Sequence, residues 1–327
     1  MRGGAVFCNG SGSIDFDDCV FEGNNAEMQG GALLQAEQAK LSMNRCLFAG
    51  NRAEDSGGGI SFRQQHSAAN FAATNCIFAS NTAVNYGGGA GTDSGNQTAS
   101  ANNAYPMYGS FYSCIFTNNL AGKAGGGFWL REPKSRPEEV QDRPLTIRNC
   151  LFARNRVTGT EQYNSGAGLL LISYAYPVVD GCTIVDNDAQ YTGGGSGAGI
   201  YVRWTGVLFN TIIARNRLQG VENASEDWIK SADATVSNCC VTLPKDTTAR
   251  KLFTSDTASF SADPVFTDFA AGDYTLHAIS PCRNKGVNQA WMEEATDLKG
   301  DARIFGGIVD MGCYERVYSL GTILQVH

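Results

Sequence analysis

Cys19-Val20-Phe21-Glu22-Gly23-Asn24 sets a phrase that the chain keeps repeating: a cysteine, an apolar pair, and an asparagine five positions after the cysteine. It returns as Cys46-Leu47-Phe48 to Asn51, Cys76-Ile77-Phe78 to Asn81, and Cys114-Ile115-Phe116 to Asn119. Two more copies run Cys150-Leu151-Phe152 to Asn155 and Cys182-Thr183-Ile184 to Asn187. A seventh puts threonine in the cysteine's place, Thr211-Ile212-Ile213 to Asn216. Successive copies start 27, 30, 38, 36, 32 and 29 residues apart. Self-similarity at that period marks a solenoid, a propeller or an array.

A second phrase alternates with the first. Gly3-Gly4-Ala5-Val6, Gly30-Gly31-Ala32-Leu33, Gly57-Gly58-Gly59-Ile60 and Gly125-Gly126-Gly127-Phe128 each lead into an apolar strand. Every repeat therefore carries at least two short strands of period-two character, bounded by glycine or asparagine turns. No helical pattern separates them, which removes the leucine-rich and ankyrin solenoids. The repeats are also too short for four-stranded propeller blades. A parallel β-helix of about eight coils remains, one coil per repeat.

In such a stack a repeated position becomes a column whose members sit about 4.8 Å apart, giving a rod of roughly 35–40 Å. Asn24, Asn51, Asn81, Asn119, Asn155, Asn187 and Asn216 are expected to form an amide ladder in one turn, where asparagine also tolerates left-handed backbone. The column cysteines read as stacked buried thiols, because neighbouring coils could not all be bridged without distortion. The coils extend to about residue 250. Residues 251–327 change pattern and are assigned as a C-terminal cap, since an open β-helix end exposes unpaired edge and core.

The formal charge of −7 argues against nucleic acid or an anionic membrane as partner. No apolar run is long enough for a membrane-spanning helix. With three histidines and no paired Cys-x-x-Cys or His-x-x-x-His spacing, no metal site is expected. Gly3-Gly4-Ala5 is already inside a repeat, which suggests an exported protein whose leader lies outside this sequence.

The phrases FEGNNA, FAGNRA, FASNTA and FTNNLA, each followed by GGA or a variant, resemble the FxxN and GGA[ILV] repeat of chlamydial polymorphic outer membrane proteins. The tail from Asp263-Pro264-Val265-Phe266 through Gly272-Asp273-Tyr274-Thr275-Leu276 and Ser280-Pro281-Cys282 to Asp310-Met311-Gly312-Cys313-Tyr314-Glu315 resembles the choice-of-anchor C-terminal region of bacterial secreted proteins. The resemblance covers roughly residues 3 to 315. It implies an all-β, right-handed, pectate-lyase-like parallel β-helix in an exported or cell-surface protein. Members of the wider group include adhesins and polysaccharide lyases, so fold alone leaves the activity open. The tail departs from its pattern at Ser280-Pro281-Cys282-Arg283-Asn284, where an aspartate is usual. Cys282 and Cys313 fall in the two tail phrases that the family places in strands of the cap, where they form either a disulfide or two more buried thiols.

Alternation along the glycine strand puts Phe7, Leu34, Ser61, Gly91, Trp129, Leu170 and Tyr201 on the outer face. Two residues later the outer column reads Asn9, Ala36, Arg63, Asp93, Arg131, Ile172 and Arg203. Trp129 and Tyr201 beside Arg63, Asp93, Arg131 and Arg203 would suit an acidic polysaccharide, through sugar stacking and carboxylate pairing. Insertions at about 92–109 and 131–143 would sit at that edge, with others at about 157–165, 189–197 and 219–234 on another edge, and loops on adjacent coils can wall a groove. The expected role is an exported binding or scaffold module, adhesin-like, recognising acidic glycans. The competing reading is a lyase, with Arg131 or Arg203 (or a calcium ion) neutralising a uronate and Tyr201 or Lys134 as base. Asp15, Asp17 and Asp18 could hold calcium, although an acidic coil corner is more often simply solvated. A plain solvated β face is the alternative to any groove.

Overall fold

The computed structural model describes residues 2–36, 39–63, 69–93, 107–131, 144–159, 166–173, 176–190, 197–222, 228–242 and 258–317. Three parallel sheets wind up the chain. The phenylalanine sheet stacks Val20–Glu22, Leu47–Ala49, Ile77–Ala79, Ile115–Thr117, Leu151–Ala153, Thr183–Val185, Ile212–Ala214 and Cys240–Val241, each pairing only with its predecessor and successor. A second sheet stacks the two-residue strands that follow the ladder asparagines, from Asn25–Ala26 to Arg217–Leu218. The third holds both the glycine-led strands and the strands that precede the cysteines. These two columns fuse at Ile200–Phe209, which pairs with Leu169–Ser173 through its first half and Val178–Asp180 through its second. Six coils carry all four strands. A seventh merges two of them and an eighth supplies only Trp228–Ser237 and Cys240–Val241, so the eight expected coils are six complete and two partial ones.

The columns follow from the register. Phe21, Phe48, Phe78, Phe116 and Phe152 point inward and stack nearly parallel, with ring centroids 4.7, 5.0, 4.5 and 4.7 Å apart. Withdrawing each such side chain from water stabilises the fold by about 1.5–3 kcal/mol. The thiol column is also in place: the Cys114 amide donates to Cys150 Sγ at 3.4 Å, and the Cys150 amide to Cys182 Sγ at 3.5 Å. Thr211 substitutes without a break. Its hydroxyl accepts from the Cys182 amide at 3.4 Å and donates to the carbonyl two residues back, as the Cys150 thiol does.

The asparagine ladder is continuous from Asn24 to Asn216. Each interior Nδ2 donates to the next asparagine's Oδ1 and to a phenylalanine or isoleucine carbonyl of the previous coil, as Asn119 does to Asn155 at 2.9 Å and to Phe78 at 2.8 Å. The left-handed residue is not the ladder asparagine itself. It is the residue before it (Gly23, Gly50, Ser80, Asn118, Arg154, Asp186, Arg215), and a second left-handed corner precedes each cysteine. Asparagine is selected there for its amide, and the turn is made one position earlier.

Glycine is required where the coil turns into its glycine strand. Gly125 has φ +64°, and a Cβ on it would fall 2.5 Å from Trp129 Cβ. On Gly88 a Cβ would lie 2.4 Å from the Gly126 carbonyl oxygen of the next coil, so this turn admits no side chain, whereas Ala167 and Ala198 hold the same column position in later coils.

The C-terminal region does more than close an end. Phe260 bridges to Cys240 and so extends the phenylalanine sheet by one more rung. The chain then lies along that sheet's outer face, where Phe266, Tyr274, Leu276, Cys282, Met311 and Cys313 bury Leu151, Val185, Ile212 and Cys240. Trp291 Nε1 donates to Asp180 Oδ2 at 2.7 Å and the Tyr274 hydroxyl to Asp186 Oδ2 at 3.2 Å. Within the region Arg303 is fully buried, its Nη2 donating to the carbonyls of Asp310 and Gly312 and its Nη1 lying 3.7 Å from Glu315. The Asp310-to-Glu315 phrase of the tail is thus a structural knot.

Of the two alternatives for Cys282 and Cys313, the structure has them as separate buried thiols. The Cys313 amide docks on Thr183 Oγ1 at 3.1 Å, whereas the Cys282 thiol faces Cys240. Thr183 and Cys240 occupy the same outward column two rungs apart, about 10 Å, beyond the reach of one disulfide.

Candidate functional site

A cleft of about 540 Å³ opens on the outer face of the glycine strands. It is lined by Asp55, Asn85, Tyr86, Lys123, Trp129, Arg131, Arg203 and Trp204, over a floor of Ala124, Leu170 and Ile172. In-register pairing runs Arg131 to Ile172 to Arg203, which sets the two arginines two rungs, about 10 Å, apart on one face. Tyr86 stacks on Trp129 with centroids 4.5 Å apart at 16°. The Lys123 ammonium stands 5.8 Å above the Tyr86 ring, and the Arg203 guanidinium 4.8 Å above that of Trp204. Rings rather than carboxylates position these two cations, and among the described residues neither is paired with a carboxylate. Asp55 is held in place by Gln29 Nε2 at 3.2 Å and Asn85 Nδ2 at 2.9 Å. The Arg131 amide is fixed by Thr92 Oγ1 at 3.0 Å.

Three of the residues singled out from the sequence, Trp129, Arg131 and Arg203, meet in this cleft. Tyr201 lies beneath it at 1% exposure, in one apolar cluster with Trp129, Leu170 and Ile172, and burial pushes its phenol up. Trp129 is itself 4% exposed, so Tyr86 and Trp204 are the rings that a ligand would meet. Arg63 pairs in register with Asp93 and is not part of the lining. Lys134, the side chain of Asp93 and the insertion segments 94–106, 132–143, 160–165, 191–196 and 223–227 lie outside the described residues. At the opposite end, Arg45 pairs with Asp17 at 2.9 Å and Asp18 at 2.7 Å, which occupies two of the three carboxylates considered for calcium.

Six lining residues escape the strand-alternation reading. Asp55, Asn85 and Lys123 form a column two positions before the glycine phrase, and Tyr86 and Ala124 follow them. Reading that turn as a column would have found them. Trp204 had no signal. Alternation aims it inward, but a bulge between Arg203 and Thr205 and a φ of 79° turn it out.

Residues 4–165 match the family model described as "Right handed beta helix region". In fold the chain is a right-handed parallel β-helix, and the matched segment is just under half of it. None of the curated proteins compared with it matches. Among the described residues of this β-helix protein no helix is long and apolar enough to cross a membrane, and no three side chains are grouped to hold a metal ion.

Proposed function

We propose that the chain is an exported, cell-surface binding module that grips an acidic polysaccharide in the Tyr86–Trp129–Trp204 cleft. The carrying observation is the charge imbalance there. Lys123, Arg131 and Arg203 line a cleft whose described lining has one carboxylate, on a protein of net charge −7. Among the described residues none of the three cations forms an ion pair. Two arginines about 10 Å apart along the coil axis suit charges spaced on an extended polymer better than one small anion. The half-buried rings of Tyr86 and Trp204 offer stacking surface to sugars. Export agrees with the resemblance of the repeat to outer membrane proteins.

Binding is favoured over cleavage by the same geometry. Hydrolysis calls for two carboxylates roughly 5–9 Å apart, and Asp55 is the only one in the lining among the described residues. A lyase base must reach the sugar; of the two candidates, Tyr201 is sealed below the floor and Lys134 lies outside the described residues. The test is calorimetric titration with polygalacturonate and alginate against a neutral glucan, with ultraviolet absorbance followed for unsaturated product. Uronate binding that falls about tenfold in Arg131→Ala and Arg203→Ala, with flat absorbance, is the expected result. Equal affinity for the neutral glucan, or variants that bind as tightly, refutes the assignment. Rising absorbance makes the protein a lyase.

A further inference from the structure

The outward column of the phenylalanine sheet reads Val20, Leu47, Ile77, Ile115, Leu151, Thr183, Ile212 and then Cys240. A cysteine breaks this run only at the last rung, where the column faces the C-terminal region. Cys282 comes from that region and packs in the same apolar cluster, both residues being fully buried. Their side chains face each other across that cluster. The Cys240 thiol also donates to the Ala262 carbonyl at 3.4 Å, and the Cys282 amide to Ser280 Oγ at 3.2 Å, so both backbones are anchored on either side of the pair.

We infer that Cys240 and Cys282 are a disulfide site, which closes when the chain folds in the presence of a disulfide oxidant and fastens the C-terminal region to the last rung. The ladder thiols differ in geometry. They stand on adjacent in-register strands with parallel Cα–Cβ bonds, an arrangement that a disulfide bridges only with backbone movement. Cys240 and Cys282 approach from two elements packed face to face. With oxidised glutathione as oxidant, one cysteine thiolate attacks its S–S bond and releases one glutathione. The second cysteine then attacks the mixed disulfide and releases another. Two protons and two electrons pass from the protein to two glutathione thiols. Once the region has docked, the hydrogen bond to Cys240 and burial raise the Cys282 thiol far above its usual range, so exchange at the closed pair is slow. The bond closes a loop of roughly 40 residues, a size at which cross-linking restricts the unfolded chain substantially.

The full chain is refolded with reduced and oxidised glutathione, alkylated in denaturant without reductant, and peptide-mapped by mass spectrometry. One cross-linked peptide pair holding Cys240 and Cys282 is expected, with the other nine of the eleven cysteines alkylated. Reduction should lower the thermal midpoint of the oxidised protein. Cys240→Ser and Cys282→Ser should each remove the cross-link and that redox difference, while Cys313→Ser keeps both. Eleven alkylated cysteines, a bond within the ladder, or a bond to Cys313 overturns the inference. Should a serine variant fail to fold, the map of the wild-type chain still decides.

Discussion

Asn119 and Asn155 are joined twice: the Asn155 Oδ1 accepts from the Asn119 side-chain amide at 2.9 Å and from its backbone amide at 3.1 Å. One buried oxygen thereby ties two consecutive coils at side chain and main chain together.

Replacing Asn119 with alanine strips partners from three coils at once. The buried Asn81 backbone amide is left unpaired at about 1–3 kcal/mol, the Asn81 side-chain amide keeps only its bond to the Phe48 carbonyl, and the Phe78 carbonyl loses a donor. A loss of roughly 3–5 kcal/mol is expected from urea unfolding. Asn24→Ala, at the half-buried end of the ladder, should cost about 1 kcal/mol. Equal losses at the two positions would show that the ladder carries no cumulative load.

In the ring stack, Phe116→Ala opens a cavity between Phe78 and Phe152 and should destabilise by about 3–5 kcal/mol. Phe116→Leu keeps most of the volume and should cost under about 1.5 kcal/mol. Leucine already has its counterpart in Ile184 and Ile213, which continue the same column without rings. Denaturant midpoints for the two variants check the ordering.

Much of this was legible because a stacked coil repeats its chemistry. The Cys19, Phe21 and Asn24 columns, the glycine turns and the inner and outer faces all follow from spacing. Features used once were not. Trp204 is turned out by a bulge where two strand columns fuse, which no periodicity announces. The side-on lie of the C-terminal region was hinted at only by Leu151 and Ile212, outward residues too apolar to face water. Trp129 was assigned to the correct face, but stacking beneath Tyr86 depends on a turn residue from a neighbouring coil.

Glu315 makes stability depend on pH. Burial, reinforced by the nearby Asp310 carboxylate, lifts its carboxyl from 4.5 to about 8 in the folded chain. Between those values the folded state holds a proton that the unfolded state has released. This group's contribution is therefore fully present below about pH 4.5 and is lost as pH rises to about 8. Asp310, also raised by burial, acts in the same direction. Thermal midpoints measured from pH 5 to 8 should fall more steeply for the wild type than for Glu315→Gln, the difference in stability growing by about 1.4 kcal/mol per pH unit at most. Parallel curves would contradict this.

Trp204→Gly separates binding from stability. Glycine accepts φ 79° freely, so strain relief of about 1–2 kcal/mol offsets much of the lost ring packing. Arg203 loses its platform, and polyuronate affinity should drop about three- to tenfold while the midpoint of unfolding stays nearly level. A variant that unfolds early yet binds normally would show the ring to be a packing element alone.

At Gly88, which abuts Gly126 with no room for a methyl group, the winding rises by one backbone thickness per turn. Spare length can therefore leave only sideways, as a loop, and never as a gap between rungs. Such a scaffold can lengthen, shorten or exchange its lateral decorations one at a time while the shaft keeps its dimensions, which suits a molecule whose partners change faster than its architecture.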